Sequence, residues 1–354
     1  METKVFRLTS VVCLGLVSMA ALADSESIVP TATTQDGKII VNASNFAIAE
    51  THRTMSDYVE KVGLSAFDHY REFTPLDKQV IPRMNRDTLY SFAVVDLRNN
   101  PAVISIGDNG GRYQSVLIIN EGHFSRAVLY DAGTHEYTEE LNGSRYALIL
   151  VRTGLNADDP ADYADANAAQ DALKITQKSN GKFELPDWDM ESYERAKALL
   201  KEWSGSGLGN ISYAYGADQS KVDPFSHLVN SACCWGGWDR TNASYELFSP
   251  SSFEKGDKYQ VTMTDVPVGE FWSFTVYNDA GLIVENEFGI YNVNSKYAEK
   301  NADGSVTVTF GGDANDLNPL PTPDGKWDTY ARYYKPTAAF FENNYKLPEF
   351  IKLR

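Results

Sequence analysis

The chain has 354 residues, a formal net charge of −16 at pH 7 and 43% hydrophobic residues. That length is enough for two domains with sizeable cores. The acidic balance argues against nucleic acid and anionic membrane surfaces as partners, because both are negatively charged themselves.

The first residues have the pattern of a secretory signal peptide. Lys4 and Arg7 give a positive start, residues 8–22 are mostly apolar, and Ala21-Leu22-Ala23 is a small-residue cleavage site. We expect cleavage near Ala23 and a periplasmic or secreted protein; an uncleaved interfacial anchor is the alternative. Residues 24–37 are expected to form a flexible tether. No run in the sequence reaches the length of a membrane-spanning helix, so no transmembrane segment is expected.

Hydrophobic periodicity predicts one helix and then a series of strands in the first half. A short strand at 39–41 precedes a helix that starts near Ser44 or Asn45 and stops at Gly63. The strand candidates, rich in Val, Ile, Tyr and Leu, are 89–97, 102–106, 112–120, 127–131 and 146–153. Their close spacing favours antiparallel pairing in a sandwich or barrel rather than βαβ units.

Two helices are predicted between the halves. Asp159-Pro160 has the pattern of a cap followed by Pro at the first helical position, and this helix extends to about Lys178. Asp189 caps a second helix that ends near Trp203, and the Gly- and Ser-rich residues 204–210 are the best hinge candidate. Strand signals then resume at 245–248, 259–265, 270–278, 306–310 and 329–334.

These elements predict a mainly β protein with two antiparallel β-sandwich or jelly-roll-like domains and a helical connecting segment. The N-terminal β-rich domain covers 38–155, the connector 156–210 and the C-terminal β-sandwich domain 211–354. Strand edges on such domains are often covered by pairing between subunits, so we expect a homo-oligomer.

Several short motifs follow one another along the chain. The first half contains Asn85-Arg86-Asp87-Thr88-Leu89-Tyr90-Ser91, Asp96-Leu97, Gly111-Arg112-Tyr113 and Val151-Arg152-Thr153. The second half contains the runs 271–278, 303–306, 318–323 and 332–336. In these motifs the chain resembles bacterial proteins that pair the domains of unknown function 1254 and 1214, although Pro319 replaces the usual tryptophan of the closing motif. The resemblance implies an exported or envelope-associated β-rich protein that forms oligomers, and it supplies no activity.

The first candidate site is the group Asn85, Arg86, Asp87 and Tyr90 at the mouth of a predicted strand. Because successive residues of a strand point to opposite faces, Asp87 cannot share a face with Tyr90. One interpretation is a polar cluster at a pocket mouth, with the Tyr90 ring turned to a ligand. The other is a turn fixed by Asn85 and Asp87, with Tyr90 in the core.

The second candidate site is His123, which lies between Glu121 and Arg126 near a strand end. A histidine could act as a base that a glutamate orients, but the sequence shows no nucleophile motif. An enzymatic alternative is therefore a metal-independent hydrolase or lyase using Asp87, Tyr90, His123 and Arg126. The structural alternative is a solvated turn between two strands.

A third group of ligand-binding candidates lies in the second half and contains Trp272, Tyr277, Asn278, Asn318 and Arg332. Aromatic faces near amide groups can hold sugars or apolar small molecules. Alternate residues of 270–278 could instead fill a sandwich core, which is the more natural role for Trp272. A buried Arg332 would need a partner, which we expect an acidic side chain to supply.

Cys233 and Cys234 are adjacent and are the only cysteines after residue 23. They could be inert buried thiols, a strained vicinal disulfide or a bridge between subunits. The sequence has no zinc, EF-hand, Rossmann or P-loop signature, so no metal or cofactor is predicted. The predicted function is that of an exported envelope protein that binds a small molecule, glycan or protein partner through its β-domains.

Overall fold

The computed structural model describes residues 31–79 and 81–353. The predicted signal peptide (1–23) and the first part of the predicted tether (24–37) lie outside the described residues. No helix within the described ranges is long and apolar enough to span a membrane.

The N-terminal part contains ten strands and four α-helices. In chain order they are β1 (Ile39–Ile40), α1 (Phe46–Val62), β2 (Asp68–His69), β3 (Thr88–Asp96), β4 (Ala102–Ile106), β5 (Gln114–Asn120), β6 (Ser125–Leu129), β7 (Gly133–Tyr137), α2 (Glu139–Asn142), β8 (Tyr146–Gly154), α3 (Asp162–Asp171), β9 (Lys174–Thr176), β10 (Trp188–Asp189) and α4 (Met190–Gly205). A five-stranded antiparallel sheet has the order β2-β3-β8-β5-β6, and a three-stranded antiparallel sheet has the order β7-β4-β9. Strands β1 and β10 pair in parallel.

Both faces of the five-stranded sheet are buried. Ala93, Val95 and Ile149 on one face pack against Ile104 of the three-stranded sheet. Val94 and its neighbours on the other face pack against helix α1 and against side chains of the C-terminal part. This double coverage explains why every residue of β8 is buried, and why its sequence is nearly continuously apolar.

The C-terminal part contains eight strands and two α-helices. They are α5 (Pro224–Cys233), β11 (Ala243–Phe248), β12 (Tyr259–Met263), β13 (Trp272–Asn278), β14 (Asn292–Asn294), β15 (Val306–Phe310), β16 (Pro319–Leu320), β17 (Trp327–Tyr334), α6 (Ala338–Glu342) and β18 (Ile351–Lys352). One sheet has the order β11-β17-β13-β14 and the other the order β16-β15-β12-β18. The core between them contains Trp272, Phe274, Phe310 and Trp327.

The prediction of a mainly β protein is confirmed, and none of the described sheets closes into a barrel. The jelly-roll connectivity and the domain boundaries stay predictions. Helix α4 packs with α1 and α5 around Phe46, Tyr193 and Val229, so it forms part of a packed helical layer. The helix predicted from Asp159 to Lys178 is shorter than expected, because residues after Asp171 pair as β9 with β4.

Candidate functional site

A cavity of about 330 Å³ opens beside the face of the five-stranded sheet that packs on α1. Its walls are mostly aromatic and aliphatic, with Tyr58, Phe92, Leu150 and Trp235 among them. The rings of Tyr58 and Phe92 stack with centroids 4.4 Å apart, which fixes one wall. We call this the Arg152 cavity, after the cationic side chain that also lines it.

Strand pairing places Arg152 in the cavity wall. In the β3–β8 register Arg152 lies directly opposite Tyr90, and side chains opposite each other in an antiparallel pair share a face. The guanidinium carbon is 5.3 Å from the centre of the Tyr90 ring and 4.3 Å from that of Trp238. The half-buried Tyr90 lines the same cavity.

Arg152 is buried, and no carboxylate of residues 31–79 and 81–353 pairs with it. Its side chain is 7% exposed, and its Nη2 atom donates to the carbonyl of Gly236 at 3.1 Å. Its Nη1 atom is buried and has no hydrogen-bond partner among residues 31–79 and 81–353. Two aromatic rings and one carbonyl oxygen therefore surround the guanidinium, and its positive charge in the cavity wall is not neutralised by a carboxylate of the described residues.

Asp87 turns away from this cavity and into the C-terminal part. Its fully buried carboxylate accepts hydrogen bonds from the hydroxyls of Ser273 at 2.6 Å and Tyr334 at 3.0 Å. It also accepts from the side-chain amides of Asn292 at 3.1 Å and Asn294 at 3.3 Å. Four donors from β13, β14 and β17 therefore converge on the carboxylate of Asp87.

Asn85 closes the turn before β3. Its Oδ1 accepts from the backbone N–H of Asp87 at 2.7 Å and of Thr88 at 3.1 Å, and its Nδ2 donates to the Tyr334 hydroxyl at 2.7 Å. The guanidinium of Arg86 lies over the rings of Phe73 and Tyr291. Burial lowers the pKa of Arg86. Of the four residues of the first candidate site, Asn85 and Tyr90 line the Arg152 cavity, whereas Asp87 and Arg86 do not.

Arg332 reinforces the contact between the two halves. Its buried guanidinium donates to Thr275 Oγ1 at 2.9 Å, to the Tyr277 hydroxyl at 2.6 Å and to the carbonyl of Arg83 at 3.0 Å. The Tyr277 hydroxyl in turn donates to the carbonyl of Met84 at 2.7 Å. The expectation that an acidic side chain pairs with Arg332 is wrong for the described residues: hydroxyl and carbonyl oxygens accept from its guanidinium, and no carboxylate forms an ion pair with it.

The other candidates of the second half serve the fold. Trp272 lies in the core between the two C-terminal sheets. Asn278 accepts from the backbone N–H groups of Ala280 and Leu282 and so closes a turn. Asn318 bonds to the backbone of Glu299 and Thr307. None of these three side chains lines the Arg152 cavity.

His123 acts as a neutral structural group. Burial, with a smaller effect from His227, lowers its pKa well below the usual value. Its Nδ1 pairs with Ser231 Oγ at 2.9 Å, and its Nε2 accepts from the backbone N–H of Gly236 at 2.9 Å. Both ring nitrogens are therefore engaged. Because the Gly236 carbonyl accepts from Arg152, His123 helps to position the Arg152 cavity from outside it.

The remaining polar residues near His123 have other partners. Glu121 bonds to His52 at 2.8 Å and to the backbone N–H of Tyr146, and not to His123. Burial would raise the pKa of Glu121, but the hydrogen bond with His52 helps to bring it below its usual range. Arg126 donates to the carbonyls of Leu141 and Ala217. Of Asp87, Tyr90, His123 and Arg126, only Tyr90 lines the Arg152 cavity.

Arg152 was not singled out as a site residue from the sequence. The signal was an arginine inside the otherwise apolar strand candidate 146–153. A cationic residue in a strand whose sequence predicts burial on both faces is a functional candidate, because charged residues are rarely buried without a partner.

The two cysteines lie at the end of α5, just before Trp235. Their Sγ atoms are 2.9 Å apart, both are free thiols, and the Ser204 hydroxyl donates to the sulfur of Cys233. The vicinal-disulfide alternative stays a prediction. No group of three or more His, Cys, Asp and Glu side chains in the described part of the chain could hold a metal ion.

Comparison with known proteins bears out the domain pairing. Residues 64–124 match the family model "Protein of unknown function (DUF1254)" and residues 250–338 match "Protein of unknown function (DUF1214)". The chain therefore carries both domains in the expected order. No curated protein matches it.

Two solved structures are similar to this one. The VPA0106 protein from Vibrio parahaemolyticus superposes with a TM-score of 0.66 at 16% identity, covering 88% of this chain and 98% of that protein. A putative uncharacterized protein from Burkholderia cenocepacia gives a TM-score of 0.48 at 16% identity, covering 88% of both chains. The first similarity shows a shared fold.

Proposed function

We propose that the protein binds a small organic anion in the Arg152 cavity, with a carboxylate on an apolar or aromatic body. The observation that carries this proposal is the buried Arg152 guanidinium, which lines the cavity and has no carboxylate partner within the described residues. A carboxylate is the natural complement, because it can accept two parallel hydrogen bonds from a guanidinium.

The other walls suit the rest of such a ligand. Tyr58, Phe92 and Trp235 offer ring faces, and about 330 Å³ lies within the range of small-molecule sites. Glu72 also lines the cavity and is exposed. Its negative charge disfavours ligands that carry more than one negative charge, so we propose a monoanion.

Matched ligand pairs test the role of charge. Benzoate and benzamide have the same ring and nearly the same shape, as do octanoate and octanamide, and only the acids are anionic. We expect calorimetric titration to show binding of at least one acid and no binding of its amide. Equal binding of an acid and its amide would contradict the proposal. Native mass spectrometry of freshly purified protein shows in parallel whether a ligand is retained.

Two arginine variants test the location of the site. Arg152→Met should abolish acid binding in a protein that still folds, because the flexible methionine fills much of the same space without the charge. Arg126→Met is the matched control, because Arg126 bonds to backbone carbonyls outside the cavity. Unchanged acid binding by a folded Arg152→Met variant would place the site elsewhere.

We also propose that binding takes place outside the cytoplasm and in a homo-oligomer. The support for export is the N-terminal pattern of Lys4, Arg7, an apolar run and Ala21-Leu22-Ala23. N-terminal sequencing of protein from a periplasmic fraction should begin at Asp24. The native mass of the same preparation gives the number of subunits, and a monomer would contradict the proposed homo-oligomer.

A further inference from the structure

The two adjacent thiols at the end of α5 lead directly into the loop that closes over the Arg152 cavity. The Sγ atoms of Cys233 and Cys234 lie 2.9 Å apart, and both residues are half-buried free thiols. The next two residues, Trp235 and Gly236, line the cavity. A change in the backbone at Cys234 therefore reaches the cavity wall within two residues.

The loop after the thiols holds the guanidinium of Arg152 in place. The carbonyl of Gly236 accepts from Arg152 Nη2 at 3.1 Å, and the N–H of Gly236 donates to His123 Nε2 at 2.9 Å. The indole N–H of Trp235 donates to Thr51 Oγ1 at 3.1 Å, and its ring stacks on that of His123 with centroids 5.1 Å apart. The position of the guanidinium thus depends on the backbone of this loop.

The backbone of Cys234 is fixed on both sides in the reduced protein. Its N–H donates to the carbonyl of Asn230 at 2.9 Å and ends α5, and its carbonyl accepts from the hydroxyl of the buried Tyr215 at 2.6 Å. Adjacent Cα atoms are about 3.8 Å apart across a trans peptide, whereas disulfides usually need about 4.4 Å or more. Because of this difference, a disulfide between the two cysteines has to distort the peptide that joins them and displace the Cys234 carbonyl.

We propose that Cys233 and Cys234 form a reversible redox site, and that their conversion to a disulfide displaces the loop at Trp235 and Gly236 and weakens ligand binding in the Arg152 cavity. The effect on binding rests on the proposed function of that cavity, whereas the movement of the loop does not. A preorganised site loses affinity when its wall shifts. A strained disulfide is also easily reduced, which makes the change reversible.

The oxidant in this proposal is a small-molecule disulfide, and the reaction is thiol–disulfide exchange. The Cys233 sulfur attacks one sulfur of the oxidant, whose S–S bond breaks and releases a thiol that carries the proton of Cys233. The Cys234 sulfur then attacks the Cys233 sulfur and releases the second thiol with the proton of Cys234. Two cysteine thiols are oxidised, and one disulfide is reduced to two thiols. The hydrogen bond with Cys234 lowers the pKa of Cys233 to about 7, which favours Cys233 as the attacking sulfur.

Oxidation with hydroxyethyl disulfide, followed by reduction with dithiothreitol, tests the chemistry. The intact mass of the folded protein should fall by two hydrogen atoms, with no mercaptoethanol retained, and should return to its first value after reduction. A folded protein that keeps both thiols, or that stops at a mixed disulfide with mercaptoethanol, would overturn the proposal.

Calorimetric titration with benzoate and octanoate compares the two states. We expect the oxidised protein to bind the acid about 5- to 10-fold more weakly, because the Gly236 carbonyl no longer holds the Arg152 guanidinium in place. Reduction should restore the affinity. The double variant Cys233→Ser/Cys234→Ser is the matched control, because it cannot form the disulfide, and its affinity should not respond to the oxidant. Equal or tighter acid binding by the oxidised wild-type protein would overturn the proposal.

The indole N–H signals in heteronuclear NMR measure the loop without a ligand. Oxidation should shift the signal of Trp235, whereas that of Trp327, in the core between the two C-terminal sheets, should stay in place. Single Trp→Phe variants assign the signals. An unchanged Trp235 signal in the oxidised protein would overturn the proposal. Absence of acid binding in both states would contradict the proposed function, and the Trp235 signal then decides this inference by itself.

Discussion

The hydroxyl of Ser273 donates a 2.6 Å hydrogen bond to the carboxylate of Asp87, 186 positions earlier in the chain. The same carboxylate also accepts hydrogen bonds from the side chains of Tyr334, Asn292 and Asn294. Within the described residues, the side-chain donors to this buried carboxylate of the N-terminal motif all come from C-terminal strands. This mutual dependence gives a physical reason why the two domains occur together in one chain.

Removing the Asp87 carboxylate should destabilise the whole protein. Asp87→Ala leaves four buried donors without an acceptor, and we expect a loss of about 3–5 kcal/mol in the free energy of unfolding. Asp87→Asn keeps one acceptor atom and should lose less, about 1–3 kcal/mol. Urea denaturation measures both. Asp279→Ala, in an exposed turn, is the control and should change stability by no more than about 0.5 kcal/mol.

As the pH is lowered below about 6.5, the free energy of unfolding should decrease because of His123. Burial lowers the pKa of His123 in the folded state, whereas in the unfolded chain the imidazole protonates near its ordinary value. The unfolded state therefore binds more protons in this window. The contribution is complete above about pH 6.5 and is lost as the pH falls, at about 1.4 kcal/mol per pH unit.

A non-titrating variant isolates this effect. His123→Asn should be less stable than wild type at neutral pH, but its unfolding free energy should fall less steeply between about pH 6.5 and about pH 5. The difference in slope, measured by urea denaturation at several pH values, is the relevant quantity. His69, whose pKa burial also lowers, contributes equally to both proteins. Parallel curves would show that His123 is not the titrating group.

Local sequence signals predicted much of the fold. The side chain of Asp189 accepts from the N–H of Ser192 and caps α4 as expected, and Gly63 ends α1. The same logic would have found α5, because Asp223 caps it and Pro224 is its first residue. A cap depends on neighbours within a few positions, so sequence alone reveals it.

The candidate sites depend on contacts that no local pattern contains. Asn292 and Asn294 lie on β14, a three-residue strand that is too short for its polar–apolar alternation to identify it from the sequence. Their role follows only from their position beside β13, where they face Asp87. Arg152 becomes a site residue only because β3 places Tyr90 opposite it and the loop at Gly236 closes over it. Long-range pairing of this kind leaves no spacing rule in one sequence.

Gly237 should tolerate no side chain. A Cβ atom there would lie 2.1 Å from Cζ of Tyr215, a buried residue whose hydroxyl donates to the carbonyl of Cys234. We expect Gly237→Ala to destabilise the protein by about 1–3 kcal/mol, because the tyrosine has to move within a packed core. It should also weaken ligand binding in the Arg152 cavity, since Gly236 is the adjacent residue.

Gly205→Ala is the matched control for this prediction. Gly205 ends α4 and has no atom within 4 Å of its added Cβ. Alanine there should leave stability unchanged or raise it by up to about 1 kcal/mol. Thermal unfolding of both variants is the measurement, and equal effects from the two substitutions would contradict the proposed clash.

Cys233 should be the more reactive of the two adjacent thiols in the reduced protein. The hydrogen bond with Cys234 lowers the pKa of Cys233 to about 7, whereas the same interaction and burial raise the pKa of Cys234. Because the thiolate is the nucleophile, brief treatment with iodoacetamide near neutral pH should alkylate Cys233 first. Peptide mapping of partly alkylated protein measures the order, and the urea-unfolded chain, in which both should react alike, is the control. Faster alkylation of Cys234 would contradict the asymmetry. No alkylation until a reductant is added, with an intact mass lower by two hydrogen atoms, would show that the pair is isolated as a vicinal disulfide.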